Sequence, residues 1–297
     1  MPLVPVRHAP ASLLALALVL PAPATAQVKA SEPASISQTV DGTTITVDYS
    51  RPRVRGRDSI FGGEVKWDEV WTPGANWATT LEVGKDVKLN GHPLAKGKYS
   101  LWMVVRPETW TMVFDPRARL FHTRHPDSTP EQLRFDVTPE TGPFTEVLAF
   151  SFPEIRLGGT TLVMQWGTVR VPLRIDVEPS YRLELTSAEV SPFLGVWEMR
   201  WRNPNWGDTT AVIPFALTHR DGALHGEWLK DPWPDAEPFV LIPTRDRWFR
   251  LGLMEKGELY EIMEDMTFEF GPAGGRAKTF ELRGDKDDVV AAGKRGR

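Results

Sequence analysis

Tyr99-Ser100-Leu101-Trp102-Met103-Val104-Val105, then Arg106-Pro107-Glu108-Thr109, then Trp110-Thr111-Met112-Val113-Phe114, is the stretch on which the fold turns. Two runs rich in β-branched and aromatic residues flank a short polar segment with a proline, the pattern of a β-hairpin. Upstream, Thr43 to Tyr49 alternates, with Ile45, Val47 and Tyr49 on one face. Val87-Lys88-Leu89 runs into Asn90-Gly91, a pair that tolerates positive φ and so predicts a second hairpin. Downstream, strands are expected at Leu133–Val137, Glu146–Phe152, Thr160–Trp166 and Val169–Val177, with tight turns at Gly158-Gly159 and Gly167-Thr168. Long helical periodicity is absent, so a parallel α/β sheet is not expected.

The same period of two resumes after a break near 178–191. Thr186 and Glu189 have capping-box spacing, which predicts a short helix to about Phe193. Eight strand-like segments follow: Gly195–Trp201, Ala211–Leu217, Ala223–Leu229, Phe239–Ile242, Trp248–Met254, Met266–Phe270, Lys278–Arg283 and Val289–Ala292. Phe249, Leu251 and Leu253 share one face, as do Met266, Phe268 and Phe270, and both sets are expected in a core. The reading is all-β: an N-terminal antiparallel β-sandwich plus a small C-terminal β-barrel or strongly curved sheet. The division expected is 1–26 export signal, 27–178 sandwich, 179–191 linker with a short helix, and 192–297 barrel.

The export signal is read from Arg7 and His8, the apolar run Ala11 to Leu20, and Ala24-Thr25-Ala26 before Gln27. Ten apolar residues are too few to span a bilayer, so cleavage after Ala26 and a periplasmic or secreted location are expected, with no membrane span in the mature chain. The chain has 297 residues and no cysteine, which excludes disulfides, thiolate nucleophiles and thiolate metal sites. Its net charge of −4 argues against a nucleic-acid partner.

Two resemblances carry further expectations. Ser50-Arg51-Pro52-Arg53-Val54-Arg55-Gly56-Arg57, Ile60-Phe61-Gly62-Gly63, Val70-Trp71-Thr72-Pro73-Gly74-Ala75-Asn76-Trp77-Ala78-Thr79-Thr80, Leu94-Ala95-Lys96-Gly97-Lys98-Tyr99-Ser100-Leu101 and Gln165-Trp166-Gly167 occur in that order over about residues 36–178. In these motifs the chain resembles the exported bacterial family known as domain of unknown function 2911. The resemblance implies an exported β-rich domain without an assigned activity. Thr72 and Trp77 stand where that family often has arginine and glutamate. Phe193-Leu194-Gly195-Val196-Trp197, Phe215-Ala216-Leu217-Thr218, Asp221-Gly222-Ala223-Leu224 and Leu241-Ile242-Pro243 resemble the lipocalin-like accessory domain that follows penicillin-binding-type serine hydrolase domains. That resemblance implies a non-catalytic barrel over about 187–295.

Candidate functional residues concentrate in the loop from Arg51 to Asn76. Arg51, Arg53, Arg55 and Arg57 would share one side of an extended chain and could fork onto an anion. The competing reading pairs them with Glu64, Asp68, Glu69 and Glu82. Tryptophans fall in polar loops at Trp67, Trp71, Trp77, Trp206 and Trp233, either as exposed plates or folded back as plugs. His122 and His125 have a metal-ligand spacing but flank Arg124, and solvated loop histidines are the preferred reading. The catalytic motifs Gly-Xaa-Ser-Xaa-Gly, Ser-Xaa-Xaa-Lys and His-Glu-Xaa-Xaa-His are absent. The expectation is an exported, non-enzymatic binding module without cofactor, metal or catalytic residue, using Arg51, Arg53, Trp71, Asn76, Trp77 and Thr79. Its partner would be a small ligand, a glycan or an envelope protein. The alternatives are an envelope hydrolase using carboxylates such as Asp68, Glu69 and Glu82, or a His-bound metal, and a structural part of an envelope assembly.

Overall fold

The structure, a computed structural model, describes residues 29–230 and 236–296. The expected signal (1–26) and Trp233 lie outside the described residues. In chain order the first half forms β1 (Glu32–Val40), β2 (Thr43–Arg51), β3 (Val70–Trp71), β4 (Thr80–Val83), β5 (Val87–Leu89), β6 (His92–Leu94), β7 (Gly97–Val104), β8 (Trp110–Asp115), β9 (Leu133–Val137), β10 (Glu140–Arg156) and β11 (Gly159–Val177). One sheet runs β1-β2-β4-β7-β8-β9, with β3 also paired to β7; the other runs β10-β11-β5-β6. The two pack as an antiparallel sandwich, because alternate residues of both sheets enter one core: Ile45 and Val47, Leu101 and Met103, Met112 and Phe114 from the first, Leu162, Met164, Leu173 and Ile175 from the second.

The β7–β8 hairpin is apolar on both faces, which is why its sequence is a nearly continuous hydrophobic run rather than an alternation. Leu101 and Met103 face the inter-sheet core. Trp102 and Val113 face outward, where Ala78, Val70 and Leu120 cover them. The loop holding Leu120 is thereby fastened to the outside of the sheet. Burying Trp102 completely contributes on the order of 3 kcal/mol.

The Asn90-Gly91 turn forms as expected, Leu89 pairing with His92 across it. The expected turn at Gly167-Thr168 does not form. β11 runs straight through it, with Gly167 at φ +60° opposite Thr145 and register shifts on either side. A glycine that flips φ inside a strand makes a β-bulge, which bends the strand without reversing it. The arginine run is not extended either: Arg55 (φ +53°) and Gly56 (φ +68°) turn the chain, so the four side chains do not line one side.

The helix α1 (Ser187–Val190) carries the expected capping box, with the Thr186 hydroxyl accepting from the Glu189 N–H and the Glu189 carboxylate accepting from the Thr186 N–H. β12 (Gly195–Trp201), β13 (Ile213–Arg220), β14 (Ala223–Trp228), β15 (Phe239–Arg245), β16 (Trp248–Glu255), β17 (Glu258–Gly271), β18 (Thr279–Arg283) and β19 (Val289–Arg295) then close an eight-stranded barrel. Closure is made by β12 against β19, Met199 opposite Gly293. The core is aromatic: Trp197, Phe215, Phe239, Phe268 and Phe280 are all fully buried and meet mostly edge to face. Phe249, Met266 and Phe270 join them, while Leu251 is partly buried against the cluster and Leu253 is half-buried outside it.

One end of the barrel is sealed by residues 192–197. Trp197 Nε1 donates to the Phe193 carbonyl, and the Arg295 guanidinium lies 4.6 Å from the centre of the Trp197 ring. Arg295 donates to the carbonyls of Pro192, Leu194 and Ala277. No helix among the described residues is long and apolar enough to cross a membrane.

Candidate functional site

The residues singled out in the sequence divide into two sets. Trp71 turns inward. It is half-buried, stacked 6.0 Å from Trp166 at 13° and edge-on to Phe61 at 5.5 Å. Thr79 is fully buried, and its hydroxyl donates to the Pro73 carbonyl while its N–H donates to the Thr72 hydroxyl. These two build the floor of the loop rather than its surface.

Asn76, Trp77, Arg51 and Arg53 lie nearer the outside. Asn76, at φ +64°, donates from Nδ2 to the Ser31 carbonyl at 3.3 Å. Arg55 donates to the neighbouring Ala30 carbonyl at 3.1 Å, so residues 30–31 lace the arginine loop to the tryptophan loop. Arg51 donates to the Leu148 carbonyl and braces one sheet against the other. Arg53 is exposed and bridges Val147 through its backbone. Of the four acids offered as partners, only Glu64 meets the arginine run, at 3.0 Å from Arg57. Asp68 pairs with Arg106 and Glu82 with Lys98, so those carboxylates sit on separate ion pairs.

Trp77 is the exposed plate. It is 49% exposed, and its backbone bridges Phe121 in the loop before β9. The bridge is tied on both sides: the Ala78 N–H donates to the Leu120 carbonyl and the His122 N–H to the Asn76 carbonyl, both at 2.8 Å. The His122 ring donates to the same Asn76 oxygen from Nδ1 at 2.9 Å. Phe121 meets the indole edge to face at 5.5 Å, and the Arg119 guanidinium stacks 4.2 Å from the indole centre. Trp77, Arg119, Leu120, Phe121, Thr123 and Arg124 together line a shallow concavity of about 510 Å³. Neither Arg119 nor Arg124 has an ion pair among the described residues.

Beneath this corner Asp115 anchors the loop. The carboxylate is fully buried and accepts from the Arg117 N–H, Nε and Nη2 and from Gln132 Nε2. Burial pushes its carboxyl up, and the Arg117 and Gln132 hydrogen bonds more than offset that, so it lies below the ordinary carboxylate value. The Ser100 hydroxyl holds the Arg117 carbonyl and receives the Trp102 indole N–H, tying the loop to the hairpin below.

Sequence reasoning missed Arg119 and Phe121 and left His122 as a solvated histidine. The signal was Leu120-Phe121 inside an otherwise polar loop, an apolar pair that has to dock somewhere. Among the described residues no group of three or more His, Asp or Glu is arranged to hold a metal ion.

An open two-sheet sandwich with an aromatic–arginine corner, followed by a closed eight-stranded barrel, places the molecule among all-β proteins. More particularly, residues 31–175 match the family described as Protein of unknown function (DUF2911). The match begins just before β1, ends within β11 and leaves the barrel uncovered. Among curated proteins and among solved structures, none matches the chain.

Proposed function

We propose that the protein is an exported, non-enzymatic binding module whose recognition surface is the Trp77 corner. The observation that carries this reading is the braced, half-exposed indole beside two guanidiniums that have no carboxylate partner among the described residues. An exposed tryptophan loses apolar contact with nothing in return, unless a partner covers it. A guanidinium beside an aromatic plate suits a ligand that joins an anionic group to a flat apolar face. A carboxylated or sulfated sugar ring has that chemistry. In this reading Arg119 and Arg124 take the anion-binding role first assigned to Arg51 and Arg53, Asn76 positions the loop, and Trp71 and Thr79 support it from below. The barrel serves as a lipocalin-like accessory body, and the chain begins at Gln27 after export.

The test is binding of the mature protein to immobilised acidic polysaccharides, compared with Trp77→Ala and Arg119→Ala. Each variant is expected to weaken binding by about tenfold or more, in the range of a stacked or charged contact, with its melting temperature held. An early-melting Trp77→Ala protein would show the indole to be a structural plug. Unchanged binding by both variants would move the site elsewhere. Amino-terminal sequencing of the exported protein checks the cut.

A further inference from the structure

A cleft of about 1910 Å³ opens between the tip of the β10–β11 hairpin, the linker at 180–185 and the turn joining β15 to β16. Arg247 lines it and is anomalous. The residue is only 8% exposed. Its Nε donates to the Phe270 carbonyl and its Nη1 to the Gly275 carbonyl, and the Phe193 ring lies 5.4 Å away. Its Nη2 is buried with no partner, and no carboxylate pairs with it among the described residues.

A guanidinium stays charged at any ordinary pH, so this burial cannot be relieved by losing a proton. Two carbonyl dipoles do not neutralise a full charge, and an orphaned buried donor calls for a specific partner such as an ion. The neighbourhood adds cations. Arg276 follows Gly275 directly and forms no ion pair among the described residues. Arg295 spends its nitrogens on carbonyls of the same end, and among the described residues it too has no carboxylate partner. The acid in the turn, Asp246, is exposed and pairs with neither flanking arginine. Of the other acids lining the cleft, Glu189 is held by Thr186 and Arg182, Asp41 by Ser180 and Glu255 by Lys256, while Glu258, Glu261 and Glu264 line it from β17 and none of them pairs with Arg247.

We propose that this end of the cleft is an oxyanion site, in which a carboxylate or phosphate group sits on Arg247, with Arg276, next in the chain to the Gly275 carbonyl that Arg247 holds, adding positive charge. The segment lying against the guanidinium is the exposed Pro272–Gly275 loop, and a group reaching the buried Nη2 has to displace it. Exposed apolar side chains stand among the charged ones of the cleft: Ile155, Leu157 and Tyr260, exposed by 59%, 48% and 64%, all line it. The anion therefore comes either free or as the head of an amphiphile. This site is separate from the Trp77 corner, and either can fail without the other.

The experiment measures melting of the mature full-length protein in Tris chloride, with added inorganic phosphate or decanoate. Wild type is expected to gain roughly 5 °C at a ligand concentration about 100-fold above its dissociation constant. Arg247→Met is expected to lose that gain, and to melt no lower than wild type in Tris alone, because an uncompensated buried charge has been removed. Arg276→Ala, a surface change, is expected to weaken the response several-fold, and it serves if Arg247→Met does not fold. Decanoate acting far below the phosphate concentration assigns an amphiphile; equal action assigns a free oxyanion. No gain with either probe in wild type overturns the proposal. So does an Arg276→Ala protein that keeps the full response while Arg247→Met melts early, for then Arg247 is only a strut between two carbonyls.

Discussion

Asp115 shows what a single side chain can hold in place. Its two oxygens accept four hydrogen bonds, three of them from one residue two positions on, and it has no exposure of its own. Removing the carboxylate leaves the Arg117 and Gln132 donors without their acceptor. Asp115→Ala is therefore expected to cost about 3 kcal/mol in denaturant unfolding. Its folded pKa lies below the ordinary value of 3.8, so the unfolded chain binds the proton more readily. The stability it contributes is present above that ordinary value and is lost as pH falls through the lower folded one. Wild type should thus lose stability below about pH 4 more steeply than Asp115→Asn; equal slopes would show that the carboxylate's charge is not what holds the loop. The sequence offered only a weak view of this corner. Trp77 stood out because an indole in a Gly- and Asn-rich loop has no obvious core to enter, but Arg119 and Phe121 lie more than forty positions away and reach it only because backbone bonds fasten the two loops together.

At the scale of elements, what was legible depended on whether a strand had a buried face. All eight barrel strands were located by their alternation, because each presents alternate side chains to an aromatic interior. β1 was not anticipated. It is an edge strand whose Ser35, Ser37 and Thr39 bond sideways to Asp48, Thr46 and Thr44, so one face is polar and the other offers only Ala34, Ile36 and Val40 as an apolar signal. Gly167 misled for the opposite reason: positive φ marks both turns and bulges, and only the partner strand decides between them. The capping box at α1 was legible because both of its bonds are local. Thr186→Ala is expected to destabilise the barrel side of the molecule by about 1 kcal/mol. The Glu189 carboxyl is lowered from 4.5 to about 2, chiefly by the Thr186 N–H and then by the Arg182 guanidinium. Its contribution is complete above pH 4.5 and fades as pH falls toward 2. Glu189→Gln should flatten that part of the stability profile, and an unchanged profile would remove the carboxylate from the account.

The whole molecule is held by two cores that share no residue, one drawn from Val40 to Val177 and the other from Leu185 to Ala291. What lies between them is divided unequally. The linker meets the sandwich at Asp41, which accepts from the N–H and hydroxyl of Ser180. It meets the barrel more broadly: Tyr181 and Leu183 pack on Ala223, Val240 and Ile242, the Leu185 N–H donates to the Gly222 carbonyl, and the His219 ring donates from Nε2 to the Leu185 carbonyl. A connection of this kind couples the two bodies weakly, because one half-buried aspartate cannot transmit the loss of a core. Calorimetry of the mature protein is therefore expected to show two transitions. Gly293→Ala should lower only one of them, since its new Cβ would stand 2.3 Å from the Phe280 ring and 2.6 Å from the Glu198 carbonyl inside the barrel wall. Overpacking at such a point costs about 2 kcal/mol, and the sandwich, which carries the Trp77 corner, should melt where it did before. Asp41→Ala should leave both transitions in place while exposing the chain near Ser180 to protease. If the two transitions moved together in the Gly293→Ala protein, the cleft at the linker would have to be a tight interface, and the anion expected at Arg247 would then be stabilising the sandwich as well as the barrel.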